Sequence, residues 1–174
     1  MAEKSVKKRE DINNDYKWAI EDLYVDDNLW SKDYEKVITF AETIKSYQGR
    51  LSESPEVLYE FMQKYEEMEQ LAEKVYVYAN QRLHEDTGNS FYQGLAAKTQ
   101  GMLVATGEAT SFFEPEFLAM SEEEYEEIVA NEKLKPYQHY FEEMSRERAH
   151  ILTKEMEKVL MFALNHTLDE IKNA

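Results

Sequence analysis

Apolar residues recur at three- and four-residue spacing along most of this chain, and no segment alternates convincingly at period two, so the pattern predicts helices and no strands. The longest run extends from Pro55 to His84. Leu58, Phe61, Met62, Tyr65, Met68, Leu71, Ala72, Val75, Tyr76, Ala79 and Leu83 mark its apolar face, and Glu66, Glu67, Glu69, Glu73 and Lys74 take the wet side. Ser54 is the predicted N-cap and Pro55 the first helical residue, where the missing N–H costs nothing. At about 1.5 Å per residue the helix spans roughly 45 Å. Asp86-Thr87-Gly88-Asn89 then reads as a turn so short that the following helix must return antiparallel.

That returning stretch, Asn89 to Phe113, departs from its surroundings. The chain is 32% charged, yet here only Lys98 and Glu108 carry charge. At 100° per residue, Tyr92, Leu95, Ala96, Met102, Leu103 and Phe113 share a face, with Thr99, Thr106 and Thr110 between them. The opposite side is small rather than polar: Gly94, Ala97, Gly101 and Ala105. A solvent-facing helix would carry Glu and Lys there, so this helix is expected to have neighbours on both sides.

The remaining segments are shorter. Residues 1–14 lack periodicity and are expected as a flexible lead-in, and Asp15 to Tyr24 as a strap across the body. Asp27 or Asn28 is expected to cap a helix running to about Tyr47, with Gly49 just beyond its end. Glu114-Pro115 is expected to end the second arm of the hairpin, because a residue before proline is biased out of the helical region. Ser121 and Glu124 form a predicted capping box opening a helix to about Asn131. Pro136 suits the first turn of another, Tyr137 to about Arg148, and Thr153 caps a further one. Thr167 to Ala174 reads as the opening of a helix that stops without a cap, which suggests truncation. The expected fold is all-α: an antiparallel multi-helix bundle on a central hairpin of residues 55–84 and 89–113, with residues 15–174 as one domain.

Charge narrows the range of partners. A net charge of −16 and a pI near 4.7 argue against nucleic acid, which needs clustered Lys and Arg. Without cysteine there is neither a disulfide framework nor a thiolate site, as suits a reducing cytoplasm. No apolar run of about eighteen residues predicts a membrane span, and no apolar segment follows the basic N-terminus to make it a secretory signal.

Candidate chemistry is sparse. His84-Glu85 has the first half of a His-Glu-x-x-His zinc motif, but the second ligand position is Gly88. Glu147 and His150 have the Glu-x-x-His spacing of di-iron carboxylate sites, which need two such motifs, and none of the other three histidines has Glu three residues before it. His139 and Glu143, four apart, read as a surface pair. No Gly-rich phosphate loop and no Gly-x-Ser-x-Gly elbow occurs.

Several collinear stretches carry more information than any one motif. Tyr16-Lys17-Trp18 leads to Glu21-Asp22-Leu23-Tyr24, then Trp30 with Asp33-Tyr34. Val75-Tyr76-Val77-Tyr78-Ala79 runs into Asp86-Thr87-x-Asn89-Ser90, and His150-Ile151-Leu152-Thr153 is followed by Glu155, Glu157, Val159 and Leu160. Together they resemble the N-terminal region of oligoendopeptidase F, a zinc metallopeptidase family related to thimet oligopeptidase. The resemblance implies a helical enzyme of about three times this length, in which an N-terminal helical part and a C-terminal catalytic part flank a channel. It implies no metal or catalytic residue in this chain, since the zinc motif lies in the absent catalytic part. It implies short peptides and that catalytic domain as partners, with His84, Asp86 and Asn89 as candidate channel residues; Asn89 equally suits a helix cap. The competing expectation is a free-standing acidic module that binds peptides through an aromatic surface including Tyr59, Tyr65, Tyr76, Tyr78 and Tyr92. Exposed apolar surface on a cut domain would promote self-association.

Overall fold

The computed structural model describes residues 9–147, and every extended element among them is helical. The chain divides into two compact units, Met1–Ile128 and Val129–Ala174. The first is built on three long helices, α1 (Asp27–Lys45), α2 (Pro55–Glu85) and α3 (Ser90–Thr110), each packed on the other two. Trp30, Val37, Ala41 and Ile44 of α1 meet Leu58, Phe61, Met68, Ala72 and Val75 of α2 in the core. Inside it the indole Nε1–H of Trp30 donates to the carbonyl of Val75 at 2.8 Å. That bond pairs a donor which burial would otherwise strand.

The caps explain where the helices begin. Ser54 accepts the amide of Val57, with Pro55 in the first turn, as expected. For α1 the expected cap was Asp27 or Asn28, and the cap is Asp26 instead. Its backbone is extended and its Oδ1 accepts the amides of Asn28 and Leu29 at 2.8 and 3.0 Å. Asp27 lies one residue inside the helix, where its carboxylate is released for another partner. Gly49, at φ +78°, turns the chain between α1 and α2, and its amide donates to Glu116 Oε1.

Glu116 belongs to a short helix, α4 (Phe113–Leu118), that the sequence pattern did not separate. The hairpin's second arm ends at Thr110, before Glu114-Pro115. Thr110 and Ser111 hydroxyls bond to the carbonyls of Thr106 and Glu108, in place of a continued helix. Pro115 then falls in the first turn of α4, where its lack of an N–H does no harm. Phe112, Phe113 and Phe117 close the core against Phe61, whose ring centre lies 4.8 Å from that of Phe113. The expected box is reciprocal: Ser121 N–H donates to Glu124 Oε2 and Glu124 N–H to Ser121 Oγ, opening α5 (Glu122–Ala130).

In the second unit, Asn131 caps a 3₁₀ segment, Glu132–Tyr137, containing Pro136, and α6 (Gln138–Glu147) follows. Glu143 pairs with Arg146 at 2.6 Å, one turn onward, rather than with the exposed His139. The Glu147 and His150 side chains, the Thr153 helix and the segment from Thr167 lie outside the described residues.

The expected burial of α3 on both sides does not occur among the described residues. Leu95, Ala96, Thr99, Met102, Thr106 and Ala109 are buried against α1 and α2, and the two threonine hydroxyls bond to the carbonyls of Ala96 and Leu103. Gly94, Ala97 and Gly101 are exposed and Ala105 half-buried. A Cβ added at Gly94, Gly101 or Gly107 would meet nothing within 4 Å. The two charges of the helix, Lys98 and Glu108, are exposed on this same outward side. Glycine inside a helix costs about 1 kcal/mol relative to alanine, and nothing near these positions compensates. Gly94→Ala and Gly101→Ala should therefore each raise the unfolding free energy of the chain by up to about 1 kcal/mol, as read by urea titration of the helical circular-dichroism signal.

The segment before α1 forms 3₁₀ turns at Arg9–Asp11, Asn14–Tyr16 and Ile20–Asp22. Ile20 and Tyr24 are buried, and the Tyr24 hydroxyl donates to Asp33 at 3.0 Å beneath the Lys74 ammonium, 4.1 Å from the ring centre. Burial, and then Asp33, hold the Tyr24 phenol above its ordinary range. Burial also raises Tyr78, with Arg82 opposing and Asp27 adding to the effect. A raised phenol keeps in the folded state a proton that the unfolded chain releases above about pH 10. Stability should be undiminished by these groups below about pH 10 and fall as pH rises beyond it. Urea midpoints measured across that range should show the decline, and Tyr24→Phe should make it shallower.

Candidate functional site

The end of the α2–α3 hairpin holds the residues that the sequence singled out. Asp86 accepts the Gly88 amide at 3.0 Å, which forms the turn, and Asn89 accepts the amides of Phe91 and Tyr92, which caps α3. Both side chains thus have structural work. His84 is exposed and, among the described residues, its side chain makes no hydrogen bond or ion pair. Gln93 tightens the same turn by donating to the Thr87 carbonyl at 2.7 Å.

Next to the turn lies a cluster that sequence reasoning missed. Glu85 stands between two arginines: Arg82, at 3.1 Å on its own helix, and Arg9 from the leading segment. Arg9 also donates to the Trp18 carbonyl at 2.8 Å and pairs with Glu21 at 3.4 Å. The Arg82 guanidinium lies 5.2 Å from the Tyr78 ring centre and 5.9 Å from that of Tyr92. The Tyr78 hydroxyl donates at 2.9 Å to Asp27, the carboxylate left free by the cap at Asp26. Burial, then the negative charge of Asp27, raises the Tyr92 phenol as well. One network therefore ties the leading segment, α1 and α3 to the last turn of α2. Its visible sequence signal was a tyrosine-arginine pair at i, i+4 next to a glutamate, Tyr78, Arg82 and Glu85. Nothing pointed to Arg9, because it lies in a stretch without periodicity.

The arrangement is suited to holding an end of a helix rigid, not to bond cleavage. Glu85 is committed to two guanidinium groups, and the would-be second zinc ligand is Gly88. No group of three or more His, Asp or Glu able to hold a metal occurs among the described residues, so these residues do not fit a zinc site. Beside Arg9 an open cavity of about 300 Å³ is lined by Asn14, Lys17, Trp18, Ala19 and Glu21. The expected aromatic surface is largely packed: Tyr78 is buried, Tyr59, Tyr65, Tyr76 and Tyr92 are half-buried, and Tyr65 stacks on Phe61. No helix among the described residues is long and apolar enough to cross a membrane.

Graded substitutions separate the structural groups from the free one. Glu85→Ala should lower stability by about 3 kcal/mol because it leaves Arg82 part-buried and unpaired. Asn89→Ala should cost about 1 kcal/mol as a lost cap. His84→Ala should lie within about 0.5 kcal/mol of the parent, as exposed substitutions do. Thermal or urea unfolding of the three variants checks the order.

Comparison with known proteins gives a consistent family. The family model described as Oligopeptidase F matches residues 116–164. The Oligopeptidase PepF of Bacillus subtilis is 33% identical over 153 residues, which is 87% of this chain and 23% of the relative. The Oligoendopeptidase F homolog of Lactococcus lactis subsp. lactis is 33% identical over 159 residues, 90% of this chain and 26% of the relative. The crystal structure of oligoendopeptidase-F from Enterococcus faecium superposes with a TM-score of 0.64 at 28% identity, over 78% of this chain and 27% of that one. A solved structure from Chlamydophila abortus shares the fold, with a TM-score of 0.78 at 24% identity, over 92% of this chain and 27% of that one. The chain thus spans about a quarter of the length of the curated relatives it matches. The likeness inferred from scattered aromatic and acidic stretches is carried along nearly the whole sequence: the chain belongs to the oligoendopeptidase F family and matches its N-terminal region.

Proposed function

We propose that this chain is the N-terminal helical domain of a zinc-dependent oligopeptidase and walls the channel through which short peptides reach a catalytic part carried elsewhere in the polypeptide. The observation that carries this reading is 33% identity, over 87% of the chain, to a relative named for oligopeptide cleavage of which the chain spans only 23%. Three long helices locked by a buried hydrogen bond and an ionic cluster make a rigid wall, and a rigid wall can restrict entry by width. His84, Asp86 and Asn89, grouped at the hairpin tip, are the residues we assign to the channel side, with His84 the one free to meet a peptide. The zinc ligands belong to the remaining polypeptide, and the acidic, cysteine-free chain suits the cytoplasm. Separated from that remainder, the chain is expected to self-associate through its exposed apolar surface.

Two measurements test the proposal. The gene should encode a polypeptide roughly four times this length, as the 23–26% coverage requires, with a His-Glu-x-x-His motif beyond residue 174. A long product without that motif refutes the reading. The 174-residue chain alone should neither retain stoichiometric zinc after dialysis nor cleave a quenched fluorescent peptide; hydrolysis that a chelator abolishes would contradict it.

A further inference from the structure

The open cavity beside Arg9 has a one-sided hydrogen-bonding capacity. Its acceptors are largely spent: the Asn14 carbonyl takes the Lys17 amide and Asn14 Oδ1 the Lys17 ammonium at 3.1 Å, while the Trp18 carbonyl takes Arg9 and the Ala19 carbonyl the Asp22 amide. Its donors remain open. Among the described residues, the amides of Trp18 and Ala19 and the indole N–H of Trp18 donate to nothing. Lys17 is half-buried and its ammonium pairs with no carboxylate among the described residues, in a chain whose net charge is −16. Lys32 and Lys98 also lack an ion pair there, but both are exposed. Glu21, the acidic residue of the lining, is paired with Arg9 at 3.4 Å.

Open donors beside a surplus cation select a ligand that accepts hydrogen bonds and carries negative charge. In the lining the cations Arg9 and Lys17 face the single carboxylate of Glu21. Carboxylate and phosphate both meet that demand, but the adjoining indole of Trp18, 78% exposed, offers an apolar face that only a ligand with a side chain would use. At about 300 Å³ the cavity is at the low end of small-molecule sites, room for the end of a peptide rather than its length. Arg9 joins it to the hairpin tip, since the same guanidinium holds the Trp18 carbonyl and Glu85, the neighbour of His84. We infer that this cavity binds the C-terminal carboxylate of a short peptide, paired with the Lys17 ammonium and hydrogen-bonded by backbone N–H of the Trp18–Ala19 stretch, with the Trp18 indole against the last side chain. The choice of a peptide as the ligand rests on the reading of the chain as a wall past which peptides move. It adds where the end of such a peptide is held.

The probes are the peptide N-acetyl-Ala-Ala-Phe with a free carboxylate and the same peptide as its C-terminal carboxamide, titrated into the isotope-labelled 174-residue chain and followed by NMR. The free acid should move the Trp18 and Ala19 amide signals and the Trp18 indole signal saturably, and leave the indole signal of buried Trp30 in place. The carboxamide, which lacks the charge, should bind at least about tenfold more weakly. Lys17→Gln should weaken the free acid by a similar factor, Lys17→Arg should restore most of the affinity, and added salt should weaken it as for any exposed charge pair. Equal binding of acid and carboxamide, or no movement of these signals, would overturn the inference. Acetate or inorganic phosphate binding as tightly as the peptide would also overturn it, by showing a general anion site. None of these outcomes touches the enzyme reading, which stands or falls on the length of the gene product and its zinc motif. A product without that motif would in turn leave the measured binding in place.

Discussion

The hydrogen bond from the Trp30 indole to the Val75 carbonyl sets the register on which the first unit depends. A buried indole N–H without a partner is costly, so α1 cannot slide or rotate against α2 without losing either the bond or the core contacts around it. With that register fixed, Asp27 on the first turn of α1 lies level with Tyr78 on α2, and the carboxylate accepts the phenol. Tyr24, before α1, meets Asp33 within it and packs edge-on against Tyr78 at 5.2 Å between ring centres. Each polar group is positioned by the preceding one. This ordering is why Tyr24 and Tyr78 can be buried without leaving their hydroxyls unpaired.

The hairpin end shows how the same residues serve order and exposure. Asp86 and Asn89 spend their oxygens on backbone amides, so the turn is held by its own side chains, and the ionic cluster of Arg9, Arg82 and Glu85 holds the helix that leads into it. His84 is left as an exposed imidazole on a well-supported tip. Under the channel role proposed for His84, such a support holds the imidazole in place better than a mobile loop would.

Much of the fold was legible because burial imposes a period. The 31 residues of α2 were readable nearly to the residue, since Ser54 and Pro55 mark its start and Asp86 to Asn89 its end. Where several capping residues stand together, at Asp26, Asp27 and Asn28, sequence alone did not rank them. The cap is Asp26, and Asp27, one residue inside the helix, accepts the hydroxyl of Tyr78, fifty-one residues away. The break between α3 and α4 was misplaced for a related reason. The proline rule names a residue to avoid in a helix interior, but Pro115 fits a first turn equally well. The Arg9 contacts left no periodic trace, because a single long-range ion pair has none.

The outer side of α3 was misread in an instructive way. Small, uncharged residues on α3 predict neighbours on both sides, and the described residues supply them on one side only. The composition still needs a cause. Glycine is disfavoured in an exposed helix by conformational entropy, and a chain at −16 has no shortage of acidic residues to place there. Solubility would favour Glu and Lys at these positions, as on α2, and helix stability would favour alanine. Neither selects Gly94, Gly101 and Gly107 together. The spacing of small residues does not say which side of α3 is buried: Leu95, Ala96, Thr99, Met102, Thr106 and Ala109 form the packed side, and Lys98 and Glu108 are exposed beside the glycines.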